Sequence, residues 1–273
     1  MRIVKESDSM VISDPNIYVL GRTIPLYGVC FYLGVFLAAA AAAALCTKKS
    51  ISRFDLVCSA VYTMIGAMIG AKLLFVVVSL RQITELGIPF IAVLKGGFVF
   101  YGGLLGGLGG LLIYIRQFKL PLVPFLDLYS AVLPLGHAVG RVGCFFAGCC
   151  YGMPYDGPLS CTYTYSVGTT PIGVPLFPVQ LAESAALAAL FAVQLACLLA
   201  KPKAAGLQIA VYVFCYPVIR FSLEFFRGDA ERGIIAGLST SQIISLLIVL
   251  IASVYLATRR ASVKGGLYRD KHH

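Results

Sequence analysis

The sequence predicts an all-α integral membrane protein with about seven transmembrane helices and a cap on its outer face. Hydrophobic residues make up 59% of the 273 residues and only 12% are charged, whereas soluble domains carry about 25% charged residues. The apolar residues occur in long runs without two-residue alternation, which indicates helices rather than strands. We expect a single polytopic domain over residues 1–273. The net charge of +10 does not indicate nucleic-acid binding, because the basic residues lie in short loops between apolar runs.

Each predicted helix is an apolar run that can cross a hydrocarbon core of about 30 Å, which requires roughly 17–25 residues. The runs lie near 25–46, 56–80, 97–115, 124–146, 180–200, 206–226 and 238–258. The third run is short, and we expect Pro134 and Gly136 to interrupt the fourth. Residues 1–22 are polar and are not expected to form a secretory signal peptide, so the first run itself would act as the targeting signal.

The basic residues predict the orientation of these runs. Lysines and arginines concentrate after the first, third, fifth and seventh runs, at Lys48, Lys49, Arg53, Arg116, Lys119, Lys201, Lys203, Arg259, Arg260, Lys264, Arg269 and Lys271. The positive-inside bias places these ends in the cytoplasm, so we expect the N-terminus outside and the C-terminus inside. Residues 147–179 are rich in glycine and proline and lack helical periodicity, and they would form the outer cap.

Ionisable residues within apolar runs mark a candidate site, because a charge inside the membrane costs roughly 2.5–3.5 kcal/mol even on a lenient scale. His137 and Arg141 stand one helical turn apart in a glycine-rich part of the fourth run, so both can face one ligand. His137 alone could equally be a buried hydrogen-bonding residue. An arginine among glycines, which leave backbone accessible, predicts a site for an anionic group at the membrane surface.

The sixth run carries one polar stripe at helical spacing, formed by Tyr216, Arg220, Glu224 and Arg227. Two interpretations stay open: an Arg220–Glu224 ion pair that holds the helices together, or a set of ligand-binding groups. The fifth run opens with Gln180 and Glu183, which either satisfy neighbouring polar groups or join the site.

Glycines in the second and third runs have the spacing of closely packed helices. Gly66 and Gly70 are four residues apart, and Gly102 and Gly103 begin a longer glycine series. The series is not a dinucleotide fingerprint, because no strand precedes it. We therefore expect a tight helix contact there.

The cysteines raise the questions of a disulfide and of a metal. Cys149, Cys150 and Cys161 lie in the predicted outer segment, on an oxidising side. One hypothesis is that Cys149 or Cys150 pairs with Cys161 and staples the outer cap; free thiols are the alternative. No metal site is expected, because the spacing matches no paired C-x-x-C pattern and the chain has one internal histidine.

These motifs together resemble the bacterial prolipoprotein diacylglyceryl transferase family. The likeness extends from Tyr27-Gly28 to Ser241-Gln242. It is carried by Gly140-Arg141-Val142-Gly143 closing at Gly152, by Pro178-Val179-Gln180 with Glu183, and by Phe225-Phe226-Arg227 with Asp229. Each motif alone is weak, but their order on seven apolar runs is fairly specific.

The sequence departs from the family pattern at three positions. Tyr101 stands where the family has a histidine before a double glycine, and Cys144 stands where it has an asparagine. Cys150 replaces an acidic residue two positions before the closing glycine. The groups expected to handle protons and to position the substrate are therefore altered, while the anion site is kept.

The resemblance implies transfer of a diacylglyceryl group from phosphatidylglycerol to a cysteine thiol of a prolipoprotein signal peptide, in the bacterial cell membrane. It implies glycerol phosphate as the leaving group, no metal or organic cofactor, and no nucleic-acid partner. Arg141 and Arg227 would hold the phosphate bidentately, and Tyr101 or His137 would be the base. The other residues implied to bind or orient substrate are Tyr27, Gly102, Gly103, Gly140, Gly143, Cys144, Gly152, Gln180, Glu183 and Glu224.

Two alternatives to this function remain. A related lipid-headgroup transferase with another acceptor would fit the three departures. A membrane thiol-redox protein or a transporter would use the cysteine cluster or the buried charges. The lack of a C-x-x-C pair counts against a thiol-redox protein, and the lack of a convincing inverted repeat counts against a transporter.

Overall fold

The computed structural model of the protein describes residues 3–6, 9–19, 21–80, 84–85, 89–166, 169–202, 204–229, 234–235 and 237–269. This part of the chain is mostly helical. The helices are α1 Leu26–Leu45, α2 Arg53–Val78, α3 Phe90–Lys95, α4 Phe100–Gln117, α5 Leu122–Ala147, α6 Val179–Ala200, α7 Leu207–Glu224 and α8 Thr240–Arg269.

Within the described residues, five helices are long and apolar enough to cross a membrane. They are Leu26–Lys49, Arg53–Val78, Leu122–Ala147, Val179–Ala200 and Leu207–Glu224. The protein is therefore a multi-pass membrane protein. The predicted runs 97–115 and 238–258 correspond to α4 and to a shorter apolar helix, Thr240–Val254, at the start of α8. A count of seven spans stays a prediction.

Short strands accompany the helices, so the expectation of an all-α fold is incomplete. They are β1 Ile3–Glu6, β2 Ser9–Ile12, β3 Asn16–Val19, β4 Arg22–Pro25, β5 Cys161–Tyr163, β6 Pro175–Leu176, β7 Ile234–Ile235 and β8 Leu238–Ser239. One sheet has the order β1-β2-β5-β6, while β3–β4 and β7–β8 are separate antiparallel pairs. Between Ala147 and Val179 the described residues include no helix, as expected, but this segment contributes β5 and β6 to the sheet.

The sheet is fixed to the end of α5 by an apolar core. Ile12 of β2 lies beside Tyr163 of β5 in a parallel pair. Both are buried together with Phe145 of α5, Cys161 and Leu176. Tyr163 also donates its hydroxyl to the carbonyl of Phe145, at 2.9 Å. These contacts place the chain that follows α5 against the N-terminal strands.

The chain divides into two compact units: a larger one, residues 1–41 and 129–273, and a smaller one, residues 42–128. The smaller unit is built on close packing of α2 against α4. A side chain on Gly106 would overlap the carbonyl oxygen of Gly66, and one on Gly102 would overlap that of Gly70. This confirms the helix contact that the glycine spacing predicts. Whether residues 1–273 form one domain stays a prediction.

A buried ion pair also stabilises the smaller unit. Lys49 Nζ lies 2.9 Å from Asp127 Oδ2, and both side chains are almost fully buried. The pair joins the short 3₁₀ helix Cys46–Lys49, which follows α1, to the first part of α5. Loss of either residue would leave the other charge buried without a partner, which destabilises a folded protein.

In the larger unit, α5 continues through Pro134, so the expected interruption of the fourth run is wrong. A proline removes the helical hydrogen bond to the carbonyl four residues earlier, here that of Ser130. Gln194 of α6 compensates, since its Nε2 donates to the carbonyl of Ser130 at 3.3 Å. Gly136 lets α5 approach α1, because a side chain on Gly34 would come within 2.6 Å of the Gly136 carbonyl oxygen.

Candidate functional site

The first part of the site is a charged pair between α5 and α6. Arg141 Nη2 lies 2.9 Å from Glu183 Oε1, and only 1% of the Glu183 side chain is exposed. His137 Nε2 lies 3.8 Å from the same oxygen. His137 and Arg141 therefore face one partner, as their spacing of one turn predicts.

Gln180, one turn before Glu183, links this pair to the loop after α5. Its Nε2 donates to the carbonyl of Cys149 at 2.9 Å, and the residue is 1% exposed. Among the described residues, neither Gln180 Oε1 nor Arg141 Nε has a hydrogen-bond partner, although both atoms are buried. Buried polar atoms are rarely left unpaired, so these two are suited to contact a ligand.

Arg227 forms the second cationic part of the site, just after α7. Its Nε and Nη2 donate to Asp229 Oδ1 and Oδ2 at 2.9 and 2.8 Å, and 3% of its side chain is exposed. Burial opposes the charge of Arg227, but the hydrogen bonds and the charge of Asp229 outweigh it and raise the pKa of Arg227 above its usual value. Arg227 is thus a permanent, oriented cation.

The backbone around Gly152 holds Arg227 in place. Gly152 and Arg227 form an antiparallel bridge, Met153 N–H donates to the carbonyl of Phe226 at 2.9 Å, and Gly228 N–H donates to that of Tyr151 at 3.1 Å. A side chain on Gly152 would overlap the carbonyl oxygen of Phe177. Gly152 is therefore required for this close backbone approach.

The two arginines belong to one cluster. Arg141 is close enough to Arg227 for their positive charges to repel, and it interacts with the thiols of Cys144 and Cys150. Cys150 also lies close enough to the guanidinium of Arg227 to interact with it. The structure thus brings together two cations from different helices, with thiols beside them.

The hypothesis of a disulfide to Cys161 is wrong, because none of the nine cysteines, all of which lie among the described residues, forms a disulfide. Cys161 lies in the core of the sheet and donates its thiol to the carbonyl of Leu176 at 3.5 Å. Burial raises the pKa of Cys161 to about 11, so its thiol is unreactive. Cys149 and Cys150 instead contact Cys144 at the end of α5.

The polar stripe of α7 divides into two parts. Arg220 and Glu224 pair at 2.5 Å, and Arg220 also donates to Ser241 Oγ of α8 at 3.1 Å. This favours the structural interpretation of Arg220, and a substrate-binding role for Glu224 stays a prediction. The ring of Tyr216 lies 5.6 Å from that of His137, so Tyr216 borders the site.

The remaining predicted residues differ in their surroundings. Tyr27, in the first turn of α1, lies near Arg141 and the thiols of Cys144, Cys149 and Cys150. Gly140 has open space beside it, whereas Gly143 packs against Cys30. Tyr101, Gly102 and Gly103 open α4 in the smaller unit, where Gly102 packs against α2; their roles in binding or catalysis stay predictions.

Two features of the site were not assigned from sequence. The sequence motif includes Asp229 without indicating its role, although a carboxylate two residues after Arg227 is a plausible local partner for the guanidinium. Cys149 was assigned only to the disulfide. Its backbone carbonyl accepts the hydrogen bond from Gln180 Nε2. Residue type alone cannot predict such a backbone contact.

Comparison with known proteins identifies relatives of the chain. The family described as prolipoprotein diacylglyceryl transferase matches residues 15–258. The phosphatidylglycerol–prolipoprotein diacylglyceryl transferase of Clostridium tetani is 33% identical over 237 residues, which cover 85% of this chain and 92% of that protein. The phosphatidylglycerol–prolipoprotein diacylglyceryl transferase 2 of Clostridium perfringens is 29% identical over 236 residues, covering 85% of this chain and 90% of that protein.

Proposed function

Because this chain belongs to the prolipoprotein diacylglyceryl transferase family, we propose that it transfers the diacylglyceryl group of phosphatidylglycerol to the cysteine thiol of a prolipoprotein signal peptide. The observation that carries this proposal is the proximity of Arg141 and Arg227, each partly buried and each paired with its own carboxylate. Glu183 and Asp229 offset part of the repulsion between the two cations, and an anion bound between the guanidinium groups would offset it further. A lipid phosphate is such an anion.

The reaction requires little covalent chemistry from the protein. The acceptor thiolate attacks the glyceryl carbon that carries the phosphate ester, an S–C bond forms, and the C–O bond breaks. The electron pair leaves with glycerol phosphate, whose oxygen gains negative charge in the transition state. Arg141 and Arg227 stabilise that charge, because guanidinium groups donate to phosphate oxygens bidentately.

Gln180 and Glu183 position these cations. Glu183 uses one edge of the Arg141 guanidinium, while Arg141 Nε and Gln180 Oε1 remain available for the headgroup. Gln180 Oε1 accepts a hydrogen bond from a glycerol hydroxyl in this arrangement, and Arg141 Nε donates to a phosphate oxygen. The two contacts together distinguish a phosphoglycerol headgroup from a bare anion.

His137 is the base that the larger unit supplies for the acceptor thiol. Its Nε2 lies 3.8 Å from Glu183 Oε1, so the carboxylate stabilises the imidazolium that forms when His137 takes the proton. Tyr101, in the smaller unit, is the second candidate. The variants His137→Asn and Tyr101→Phe separate the two candidates. The rate should rise with pH as the base loses its proton, and only the variant that lacks the base should lose this rise.

The proposed site lies at the outer face of the bacterial cell membrane, in a chain of seven spans with the N-terminus outside. The basic residues after alternate apolar runs support this orientation. Reporter fusions after Lys203 and after Arg232 should report the cytoplasm and the exterior, respectively. The opposite pattern would contradict both the orientation and the location of the site.

Complementation tests the function directly. Expression of this chain in cells depleted of their own transferase should restore lipidation of a reporter lipoprotein, and Arg141→Ala should not. Transfer to a small-molecule thiol without transfer to the signal peptide would instead favour the related headgroup transferase, which the departures at Cys144 and Cys150 keep as the second candidate. No transfer from phosphatidylglycerol to either acceptor by folded protein would contradict both.

A further inference from the structure

Lys72 is a cation in a membrane-crossing helix that the proposed transfer reaction does not use. It lies in the second half of α2. Its Nζ donates to the carbonyl of Gly96 at 2.9 Å and to that of Gly97 at 3.1 Å. A charged side chain within an apolar span is costly, so it is a functional candidate by default. Here the charge is bound to the backbone of another segment.

That segment, Gly96–Val99, joins α3 to α4 and belongs to neither helix; we call it the entry segment. Backbone groups outside a helix have no intrahelical partners, and in apolar surroundings neighbouring groups must satisfy them. The ammonium of Lys72 satisfies two carbonyls of the entry segment. The carbonyl of Ala71 accepts a hydrogen bond from Val99 N–H at 3.2 Å. Two adjacent residues of α2 therefore bind both ends of the entry segment.

Two phenylalanine rings complete the surroundings of the ammonium. Lys72 Nζ lies 4.5 Å from the ring centroid of Phe98, in the entry segment, and 5.3 Å from that of Phe75, in α2. A cation is attracted to the face of an aromatic ring. Gly97 packs against the same ring of Phe75, because a side chain there would come within 3.4 Å of it. The charge of Lys72 thus joins the entry segment to α2.

The entry segment determines where α4 begins and therefore where Tyr101 lies. Val99 precedes the first residue of α4, and its carbonyl accepts from Gly103 N–H at 3.1 Å, which closes the first turn around Tyr101. The glycines of α4 pack on α2. Helical geometry places Tyr101 on the opposite side of α4, where 44% of the residue is exposed. A shift of the entry segment along α2 would therefore move Tyr101.

We propose that Lys72 is a positioning residue, whose ammonium fixes the entry segment on α2 and thereby orients the hydroxyl of Tyr101. Gly96 and Gly97 are flexible and have no side chains through which they could be held, so a donor to their carbonyls is the contact available. The effect on turnover rests on the function proposed above and on Tyr101 taking part in it. Fixation of the entry segment rests on neither.

Hydrogen exchange tests the fixation in purified full-length protein in detergent. Lys72→Met removes the charge from a side chain of similar length, and Lys72→Arg keeps a donor for the carbonyls. Peptides that contain the amides of Val99 and Gly103 should exchange at least about tenfold faster in Lys72→Met, because two charge-assisted hydrogen bonds are lost. They should exchange at nearly the wild-type rate in Lys72→Arg.

Leu73→Met is the matched control for this experiment, because Leu73 is the next residue of α2 and is exposed. Its exchange at the entry segment should equal that of wild type. Unchanged exchange in Lys72→Met, or equal acceleration in Leu73→Met, would overturn the proposal.

Transfer kinetics test the effect through Tyr101. Lys72→Met should lower kcat at least about tenfold, because a displaced base loses much of its contribution, and should leave the KM for phosphatidylglycerol within about twofold. Lys72→Arg should retain most of kcat. In the Tyr101→Phe background, Lys72→Met should change kcat by less than about twofold, since residues that act as a unit are not additive.

The kinetic outcomes separate the positioning role from the proposed function. Equal losses in both backgrounds would contradict positioning through Tyr101, and so would a wild-type kcat in Tyr101→Phe. Wild-type protein that shows the protected entry segment but transfers no diacylglyceryl group would contradict the proposed function while confirming the fixation.

Discussion

Replacing Arg141 by lysine keeps the positive charge but removes the planar guanidinium on which the proposed phosphate binding depends. In the structure, Nη2 of Arg141 lies 2.9 Å from Glu183, and its buried Nε has no hydrogen-bond partner among the described residues. A lysine has a single nitrogen on a flexible chain, and the buried Glu183 carboxylate binds it first. The phosphate then loses at least one charge-assisted hydrogen bond.

The magnitude follows from the strength of that bond. A hydrogen bond to a charged group contributes about 1.5–3 kcal/mol, and each 1.4 kcal/mol corresponds to about a tenfold change in rate. We therefore expect Arg141→Lys to lower kcat/KM by about 10- to 150-fold. Arg227→Lys should be comparable, because Asp229 already occupies two of the Arg227 nitrogens.

The assay is transfer from phosphatidylglycerol to a signal-peptide substrate, at matched amounts of folded protein. Arg220→Lys is the control, because Arg220 is also buried but pairs with Glu224 and Ser241. It should reduce the yield or thermal stability of folded protein and leave kcat/KM per folded molecule within about twofold, since buried pairs act mainly on stability. Wild-type kcat/KM in both Arg141→Lys and Arg227→Lys would refute the phosphate site.

Two further predictions concern stability and are measured by thermal unfolding in detergent. Lys49→Met should lower the free energy of unfolding by about 3–5 kcal/mol, because it leaves the buried Asp127 carboxylate unpaired. The double variant Lys49→Met/Asp127→Leu should recover most of this loss. No recovery would argue against the ion pair as the cause. Gly110→Ala should cost about 1–3 kcal/mol, because the added methyl overlaps the carbonyl oxygen of Tyr62. Its control Gly109→Ala, which meets nothing within 4 Å, should be neutral or slightly stabilising, and equal costs for the two would contradict the glycine-packed interface.

The features that sequence analysis predicted correctly are those with a local period. In the described part of the chain, five of the predicted apolar runs are helices that can cross a membrane, because composition and length alone decide this property. The one-turn spacing of His137 and Arg141 correctly placed both beside a common partner, Glu183. Helical geometry fixes relative direction over one turn, so such pairs can be inferred without a structure.

The features that were missed depend on contacts between distant segments. Strand β2 pairs with β5 across about 150 residues, as in the register of Ile12 with Tyr163. Strands of two to four residues are too short to show a period. The same limit explains why the disulfide hypothesis is wrong, because Cys161 is packed in the sheet core. It also explains why the predicted interruption at Pro134 is wrong, because Gln194 of another helix donates to the carbonyl that the proline leaves without a helical hydrogen bond.

The pairing of each arginine with its own carboxylate explains how the site can be both stable and selective. Two buried guanidinium groups without partners would be costly to fold, and Glu183 and Asp229 offset that cost before any lipid binds. Each carboxylate occupies only part of its guanidinium, so Arg141 Nε remains available and the direction in which the group faces is set. We therefore propose that specificity comes from geometry rather than from net charge. A bare anion would gain only the electrostatic attraction, whereas a phosphoglycerol headgroup would also reach Gln180 Oε1.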